Sequence, residues 1–217
     1  MISKLFISFQ EKKKNPEFLE ILKKLVDRKQ VELIGGGFYN PVFPLLFPMD
    51  RSGQVDLLST AIRKATGKRP RGVCLCASAW DPSLVTSFET CGMEYVELDS
   101  SLISKDKNLF LPIVMADRGK SIKILPVHND FIPNENEEPS DLLLRIKKAV
   151  EKVSKNDTLN PDADRCATVI LHKHQIEPLL KNKWLEKFLN EIKETSNLQR
   201  FKTHIINIDN HIKCSIW

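Results

Sequence analysis

A predicted strand leads directly into a predicted helix in the segment Leu75-Cys76-Ala77-Ser78-Ala79-Trp80-Asp81-Pro82-Ser83-Leu84-Val85. Residues 72–77 form a short apolar run typical of a buried strand, and residues 82–91 have the apolar spacing of a helix that Gly92 ends. A strand that leads directly into a helix is the repeating unit of a parallel sheet, and sites form at the carboxyl ends of such strands. The sequence therefore places Ala77 and Trp80 where chemistry is expected.

The same alternation of strand and helix extends along the chain and predicts an α/β fold with a largely parallel sheet. Helices are predicted over residues 15–27, 51–66, 140–152 and 183–195. Strands are predicted over residues 31–34, 94–98, 167–171 and 204–208, with a hairpin that joins 110–114 to 122–126.

Two further segments follow predicted strands in the same way. The first follows residues 31–34 and reads Gly35-Gly36-Gly37-Phe38-Tyr39-Asn40-Pro41. The second reads Val169-Ile170-Leu171-His172-Lys173-His174-Gln175, with His172 and His174 predicted to share one face of a strand end. Asp99 directly follows the strand predicted over residues 94–98.

These segments resemble the motifs of glycoside hydrolase family 57, the retaining α-amylases and 4-α-glucanotransferases. The family pattern Leu-Thr-Glu-Arg-Val-Trp-x-Pro-Glu-Leu-Val contains the nucleophilic glutamate, and Ala77 stands at that position. Asn40 stands where the family's Gly-Gly-Gly-Phe/Tyr-Tyr-Glu-Pro signature has glutamate. His172 aligns with the general acid/base aspartate, and Asp99 is retained from an Asp-Asp-x-His-Phe motif. The frame of the first motif is kept in Leu75, Trp80, Pro82, Leu84 and Val85.

The resemblance implies an incomplete (β/α)₇-type barrel. It implies one partial domain over residues 1–217, without the family's first strands and its C-terminal β-rich region. Retaining glycosidases need one carboxylate as nucleophile and another as acid/base. With Asn40, Ala77 and His172 at the ancestral acidic positions, the chain is expected to be catalytically inactive, with no cofactor. The alternative is an active α-amylase or 4-α-glucanotransferase whose carboxylates have moved.

If the chain binds a ligand, the resemblance implies an α-glucan held by Trp80, Phe38, Tyr39 and Asp99. Aromatic rings stack on sugar rings, but for Trp80 a buried position that fills the core is the favoured interpretation. A zinc site at His172 and His174 is disfavoured because no third ligand completes it. Asp81 precedes Pro82, so capping of the following helix explains it.

The composition of the chain bears on its partners and on its compartment. The chain of 217 residues has 33 basic and 28 acidic side chains that are interleaved, which disfavours a nucleic-acid partner. The chain has five cysteines, an odd number, and its sequence contains no CxxC motif. Both features are typical of free thiols in a reducing compartment. Neither a signal peptide in residues 1–7 nor a membrane span is predicted, so a cytoplasmic location is expected.

The predicted barrel leaves two strands without a neighbour on one side, residues 31–34 and residues 204–208. Residues 210–217 are not predicted to close the ring. Unpaired edges of parallel strands are rarely left in water, so the sequence predicts a homo-oligomer, a partner chain that completes the barrel, or a partly molten monomer.

Overall fold

The computed structural model describes residues 16–104, 109–134, 136–160, 163, 165–194, 203–208 and 211–216. Within them, the helices are α1 Pro16–Asp27, α2 Pro48–Thr66, α3 Leu84–Thr90, α4 Pro139–Asn156, α5 Lys173–Lys181 and α6 Trp184–Glu194. The strands are β1 Val31–Leu33, β2 Gly72–Cys74, β3 Tyr95–Asp99, β4 Ile113–Asp117, β5 Lys120–Val127, β6 Val169–Leu171, β7 Thr203–Ile208 and β8 His211–Ile216. Short 3₁₀ turns cover Phe43–Leu45, Cys76–Ser78, Ser100–Leu102 and Asn129–Phe131.

The strands form two sheets, in the orders β2-β3-β5-β4 and β1-β7-β8-β6. Strands β2, β3 and β5 are parallel, whereas β4 is antiparallel to β5. Parallel bridges from Gly35 to Val73 and from Val127 to Thr168 join the two sheets. The pairings therefore run in a ring through β1, β2, β3, β5, β6, β8 and β7. Because β8 is antiparallel and both joints are single bridges, this is an incomplete (β/α)₇-type barrel.

Alternation along the strands separates the inside of the barrel from its helix-covered outside. Val73, Val96 and Ile124 occupy paired positions and pack in one buried cluster with side chains of α2 and α3, such as Val55 and Phe88. The neighbouring positions face the opposite way and form a separate buried cluster inside the barrel: Ile34, Cys74, Tyr95 and Leu125. Successive residues of these strands therefore point alternately to the helix-covered cluster outside the barrel and to the cluster inside it.

A second helix-covered cluster surrounds β6. Leu171 of β6 packs with Ile176 and Leu179 of α5 and with Trp184 and Phe188 of α6. The indole Nε1 of Trp184 donates a hydrogen bond of 2.5 Å to the carbonyl oxygen of Glu137, which ties α6 to the loop before α4. None of the described helices is long and apolar enough to span a membrane.

The predicted hairpin is confirmed, with β4 three residues later than predicted and β5 two residues longer at its start and one at its end. Asp117 pairs with Lys120 across the turn formed by Arg118 and Gly119. Both turn residues have positive φ, at 48° and 78°, which is the conformation of a tight two-residue hairpin.

The prediction that the ring stays open after residue 208 is wrong. Strand β7 lies parallel to β1, pairing Val31 with Thr203, and β8 lies between β7 and β6. The sequence signal was the alternation of Ile212, Cys214 and Ile216, which is typical of a strand. Both strands that were predicted to have a free edge therefore have neighbours, and the argument for association through an open edge no longer holds.

Helix α5 was also missed. Pro178 inside it and the histidines at its start disfavoured a helix at the level of sequence. The side chain of Gln175 accepts a 2.8 Å hydrogen bond from the backbone N–H of His172 and stabilises the first turn.

Candidate functional site

The carboxyl ends of the parallel strands converge on one end of the barrel, where a cavity of about 140 Å³ opens. Short turns follow β2, β3 and β5, and α5 follows β6, so each strand delivers one or two side chains to this end. The residues that line the cavity are Cys74, Leu75, Ser78, Glu97, Asp99, Val127, Asn129, Ile170 and His172. The structure thus brings Asp99 and His172, predicted from separate motifs, to one place.

Asp99 is held by two donors at the rim of this cavity. Its Oδ1 accepts from the backbone N–H of Ser101 at 2.8 Å, and its Oδ2 accepts from Nδ2 of Asn129 at 2.6 Å. Desolvation raises the pKa of Asp99, but the hydrogen bonds from Ser101 and Asn129 outweigh it and hold the pKa below the usual value for aspartate. Asp99 is therefore ionised at neutral pH and is unsuited to act as a general acid.

Glu97 is a second carboxylate in the cavity that the sequence reading did not identify. It lies in β3 two residues before Asp99, is only 3% exposed, and pairs in register with Cys74 of β2. The signal was available in the alternation Tyr95, Glu97, Asp99, which puts all three side chains on one face of a strand. With Glu32, it contributes to the raised pKa of Tyr95, whose main cause is desolvation.

Ala77 stands in the turn after β2 with its backbone in the left-handed region, at φ 51° and ψ 27°. Its methyl group is exposed and is not among the groups that line the cavity. The next residue, Ser78, has the same φ of 51° and does line the cavity. Two consecutive non-glycine residues in this region constitute local strain, which concentrates at functional sites.

The glycine segment after β1 forms a tight turn that ends at Asn40, whose φ is 46°. Its N–H donates to the carbonyl oxygen of Gly37 at 3.0 Å. A Cβ on Gly37 would lie 2.1 Å from Cδ of Pro41, so only glycine fits there. Asn40 is half-buried and does not line the cavity, so the structure does not join it to Asp99 and His172 there.

The three aromatic residues predicted to bind sugar lie outside the lining of this cavity. Tyr39 is 50% exposed, and its ring meets that of Phe38 edge to face at 5.0 Å. Trp80 packs against the helix-covered core, and its buried Nε1 has no hydrogen-bond partner among the described residues. The core interpretation of Trp80 is therefore the better supported one, and Tyr39 is the most accessible of the three rings.

Asp81 and His172 both lie shortly before the first residue of a helix, α3 and α5 respectively. The Oδ1 of Asp81 accepts from the N–H of Ser83 at 2.9 Å and from its hydroxyl at 2.5 Å, and these bonds lower the pKa of Asp81. His172 precedes the first residue of α5, so the prediction that it lies on a strand beside His174 is wrong. Their rings are nevertheless stacked, with centroids 5.7 Å apart. No group of three or more potential metal ligands occurs within the described part of the chain.

In barrels built on parallel strands, active sites lie at the carboxyl ends of the strands, which is where this cavity opens. The model of the family Glycosyl hydrolase family 57 matches residues 1–209 of this chain. The chain belongs to glycosyl hydrolase family 57.

Several relatives support this assignment. Alpha-amylase 1 of Dictyoglomus thermophilum is 30% identical over 197 residues, which are 87% of this chain and 28% of that protein. The 4-alpha-glucanotransferase of Thermococcus litoralis is 36% identical over 117 residues, 52% of this chain and 18% of that protein. The crystal structure of the latter enzyme matches with a TM-score of 0.64 at 26% identity, covering 86% of this chain and 30% of that one. This chain therefore spans less than a third of each of these relatives.

Proposed function

We propose that this chain is a family 57 protein of α-glucan metabolism that neither hydrolyses nor transfers glucan. One observation carries the proposal: the side chain after β2 that should attack the sugar is the exposed methyl group of Ala77. A retaining mechanism needs a nucleophilic carboxylate and a protonated acid on opposite sides of the scissile bond. The exposed methyl of Ala77 supplies no nucleophile, and the ionised Asp99 supplies no acid.

An activity assay with maltoheptaose as substrate tests the proposal. The purified chain is expected to give no products above a protein-free control, whether the readout is chain shortening or the formation of longer chains. Ala77→Glu alone is expected to leave it inactive, because His172 still stands at the position of the acid/base. Turnover by the unaltered chain would overturn the proposal, and turnover by Ala77→Glu would show that only the nucleophile had been lost.

The alternative function is an active enzyme with relocated carboxylates, and one observation favours it. Glu97 and Asp99 line the same cavity, and residues two apart on a strand have Cα atoms about 6.6 Å apart. Such a pair could supply two catalytic groups without Ala77. If turnover is found, Glu97→Gln and Asp99→Asn should each abolish it under this alternative, whereas a contaminating enzyme would be unaffected.

We further propose that an α-glucan, if bound, stacks on Tyr39 and Phe38, with Asp99 accepting hydrogen bonds from sugar hydroxyl groups. Exposed aromatic rings bind the apolar C–H faces of sugars without any catalytic carboxylate. Since the lowered pKa keeps Asp99 ionised, the affinity should change little between about pH 5 and pH 8. Calorimetry with maltoheptaose should show weaker binding for Tyr39→Ala than for the unaltered chain. The matched control is Leu159→Ala, which truncates an exposed side chain in the loop after α4.

The remaining expectations extend the same proposal. Residues 1–217 act as one barrel domain. Cys74 and Cys91 are buried free thiols, and burial raises the pKa of the Cys91 thiol, which suits a reducing cytoplasmic compartment.

A further inference from the structure

The turn after β5 carries the amide that holds Asp99, and side-chain packing does not fix that amide. Nδ2 of Asn129 donates to Oδ2 of Asp99 at 2.6 Å, although Asn129 is exposed. Two hydrogen bonds close the turn: the N–H of Phe131 donates to the carbonyl oxygen of His128 at 3.2 Å, and the N–H of Ile132 donates to that of Asn129 at 3.1 Å. The buried ring of Phe131 anchors the inner side of the turn. The direction of the Asn129 amide therefore depends on how the outer side of the turn is held.

Arg145 of α4 holds the outer side of this turn. Its Nη1 donates to the carbonyl oxygen of Asp130, the residue that follows Asn129 in the chain. Its Nη2 donates a long hydrogen bond of 3.5 Å to the carbonyl oxygen of Ile132. The two hydrogen bonds that close the turn use neither of these carbonyl groups. Because a guanidinium is planar and its donors are fixed relative to one another, contact with two carbonyl groups restrains the rotation of the backbone between them.

Glu137 fixes the orientation of Arg145. Its Oε1 accepts from Nε of Arg145 at 3.0 Å and its Oε2 accepts from Nη2 at 2.8 Å, so the ion pair is bidentate. The same Oε2 accepts from the backbone N–H of Asn134 at 3.0 Å, and the side chain of Glu137 is only 10% exposed. A bidentate pair sets the plane of both groups, and such geometry distinguishes an ion pair that contributes to stability from an ordinary surface pair.

Both partners of this ion pair are attached to packed helices. Leu142, one helical turn before Arg145 in α4, is 3% exposed and belongs to the same buried cluster as Phe131 and Trp184. The indole of Trp184, at the start of α6, donates to the carbonyl oxygen of Glu137. The packing of α4 and α6 therefore sets the position of the guanidinium that contacts the turn.

A series of contacts leads from these helices to the cavity: Glu137 binds Arg145, Arg145 binds the turn after β5, and Asn129 in that turn binds Asp99. We propose that Arg145 is a positioning residue of the cavity, which fixes this turn so that Asn129 holds the Asp99 carboxylate where a sugar hydroxyl group reaches it. The sugar as ligand rests on the proposed function, whereas the link between Arg145 and Asp99 does not.

A carboxyl-carbon NMR titration of Asp99 in the full chain tests this link. In Arg145→Met the pKa of Asp99 should rise, as predicted for Asn129→Ala, because the hydrogen bond from Asn129 weakens while desolvation remains. The two substitutions together should raise it no further than Asn129→Ala alone, because Arg145 acts through Asn129. Arg63→Met, which removes the same charge from an exposed position of α2, is the control and should leave the pKa of Asp99 unchanged.

Two outcomes of this titration would overturn the proposal. One is an unchanged pKa of Asp99 in Arg145→Met. The other is a further rise when Arg145→Met is added to Asn129→Ala, since a direct effect of the lost positive charge would persist without the amide. The other ionisable side chains that line the cavity, those of Cys74, Glu97 and His172, are the same in every variant.

Circular dichroism shows whether Arg145→Met is folded. If it is not, Glu137→Ala provides the same test, because it releases the guanidinium of Arg145 and should also raise the pKa of Asp99. The loss of a negative charge would by itself lower that pKa, so the two effects differ in sign. A pKa of Asp99 that falls or stays unchanged in Glu137→Ala would overturn the proposal.

Calorimetry with maltoheptaose tests the consequence for the ligand. Arg145→Met should weaken binding by roughly threefold to tenfold, the range expected for the disturbance of one hydrogen bond. Equal affinities of the variant and the unaltered chain would overturn a role of Arg145 in sugar binding. An unaltered chain that binds no maltoheptaose would refute the proposed glucan site itself, and the titration would still decide whether Arg145 positions Asp99.

Discussion

The amide of Asn129 donates a 2.6 Å hydrogen bond from Nδ2 to Oδ2 of Asp99, and this bond joins the turn after β5 to the end of β3. Together with the N–H of Ser101, it gives each oxygen of the Asp99 carboxylate a hydrogen-bond donor. Asp99 is therefore an ionised carboxylate, held in a fixed position at the rim of the cavity.

Replacing Asn129 by alanine should raise the pKa of Asp99, because desolvation remains while one of the compensating hydrogen bonds is removed. A carboxyl-carbon NMR titration of Asp99 measures this directly. Asn160→Ala is the control, since the hydrogen bonds seen for Asn160 use its backbone N–H and carbonyl oxygen. An unchanged pKa in Asn129→Ala would show that Ser101 alone determines the ionisation of Asp99.

Ala77→Gly should stabilise the protein by roughly 0.5–1 kcal/mol. The left-handed backbone at Ala77 costs about 1–2 kcal/mol in an alanine, and glycine removes that cost but loses part of the gain to its freer unfolded chain. Urea denaturation gives the change in the free energy of unfolding. Ala79→Gly, two residues away at an ordinary φ of −68°, should instead destabilise by about 0.5–1 kcal/mol. Equal effects at the two positions would contradict strain at Ala77.

His128 should make the protein less stable in mild acid. It is 6% exposed and stacks on the rings of Phe110 and Phe131, with ring centroids 4.7 and 5.5 Å away. Its Nε2 has no hydrogen-bond partner among the described residues. Desolvation lowers the pKa of His128, and its contacts with the carbonyl oxygens of Thr168 and Leu109 and the charge of Asp130 only partly oppose this. In the unfolded chain the pKa returns to about 6.5.

The unfolded chain therefore binds more protons than the folded one between the two pKa values. The contribution of neutral His128 to the free energy of unfolding is fully present above about pH 6.5 and is lost as the pH falls below that value. Denaturation between pH 5 and pH 8 should show that the unaltered chain loses more stability toward acid than His128→Phe does. His174→Phe, measured in the same way, controls for the general effect of replacing a histidine by phenylalanine, because His174 is exposed. Parallel profiles for the native chain and His128→Phe would refute the prediction.

Much of the fold follows from local pattern. Strands β1, β2, β3 and β6 and helices α1 to α4 were predicted within a few residues, because apolar periodicity and end signals are properties of short segments. The prediction that residues 40 and 77 lack the family's carboxylates also rests on local motifs and stays a prediction. The position of the site at the carboxyl ends of strands follows from the alternation of strands and helices alone.

Sequence pattern alone predicted the family, the order of most helices and strands, and the position of Ala77 at the place of the family's nucleophile. Which distant residues meet depends on the packing of the whole chain. The closing of the ring depends on pairing Val31 with Thr203, and the polar floor of the cavity depends on the register that sets Glu97 beside Cys74. Such pairings join segments far apart in the chain, and the choice between them rests on the packing of the whole barrel, which no local pattern records.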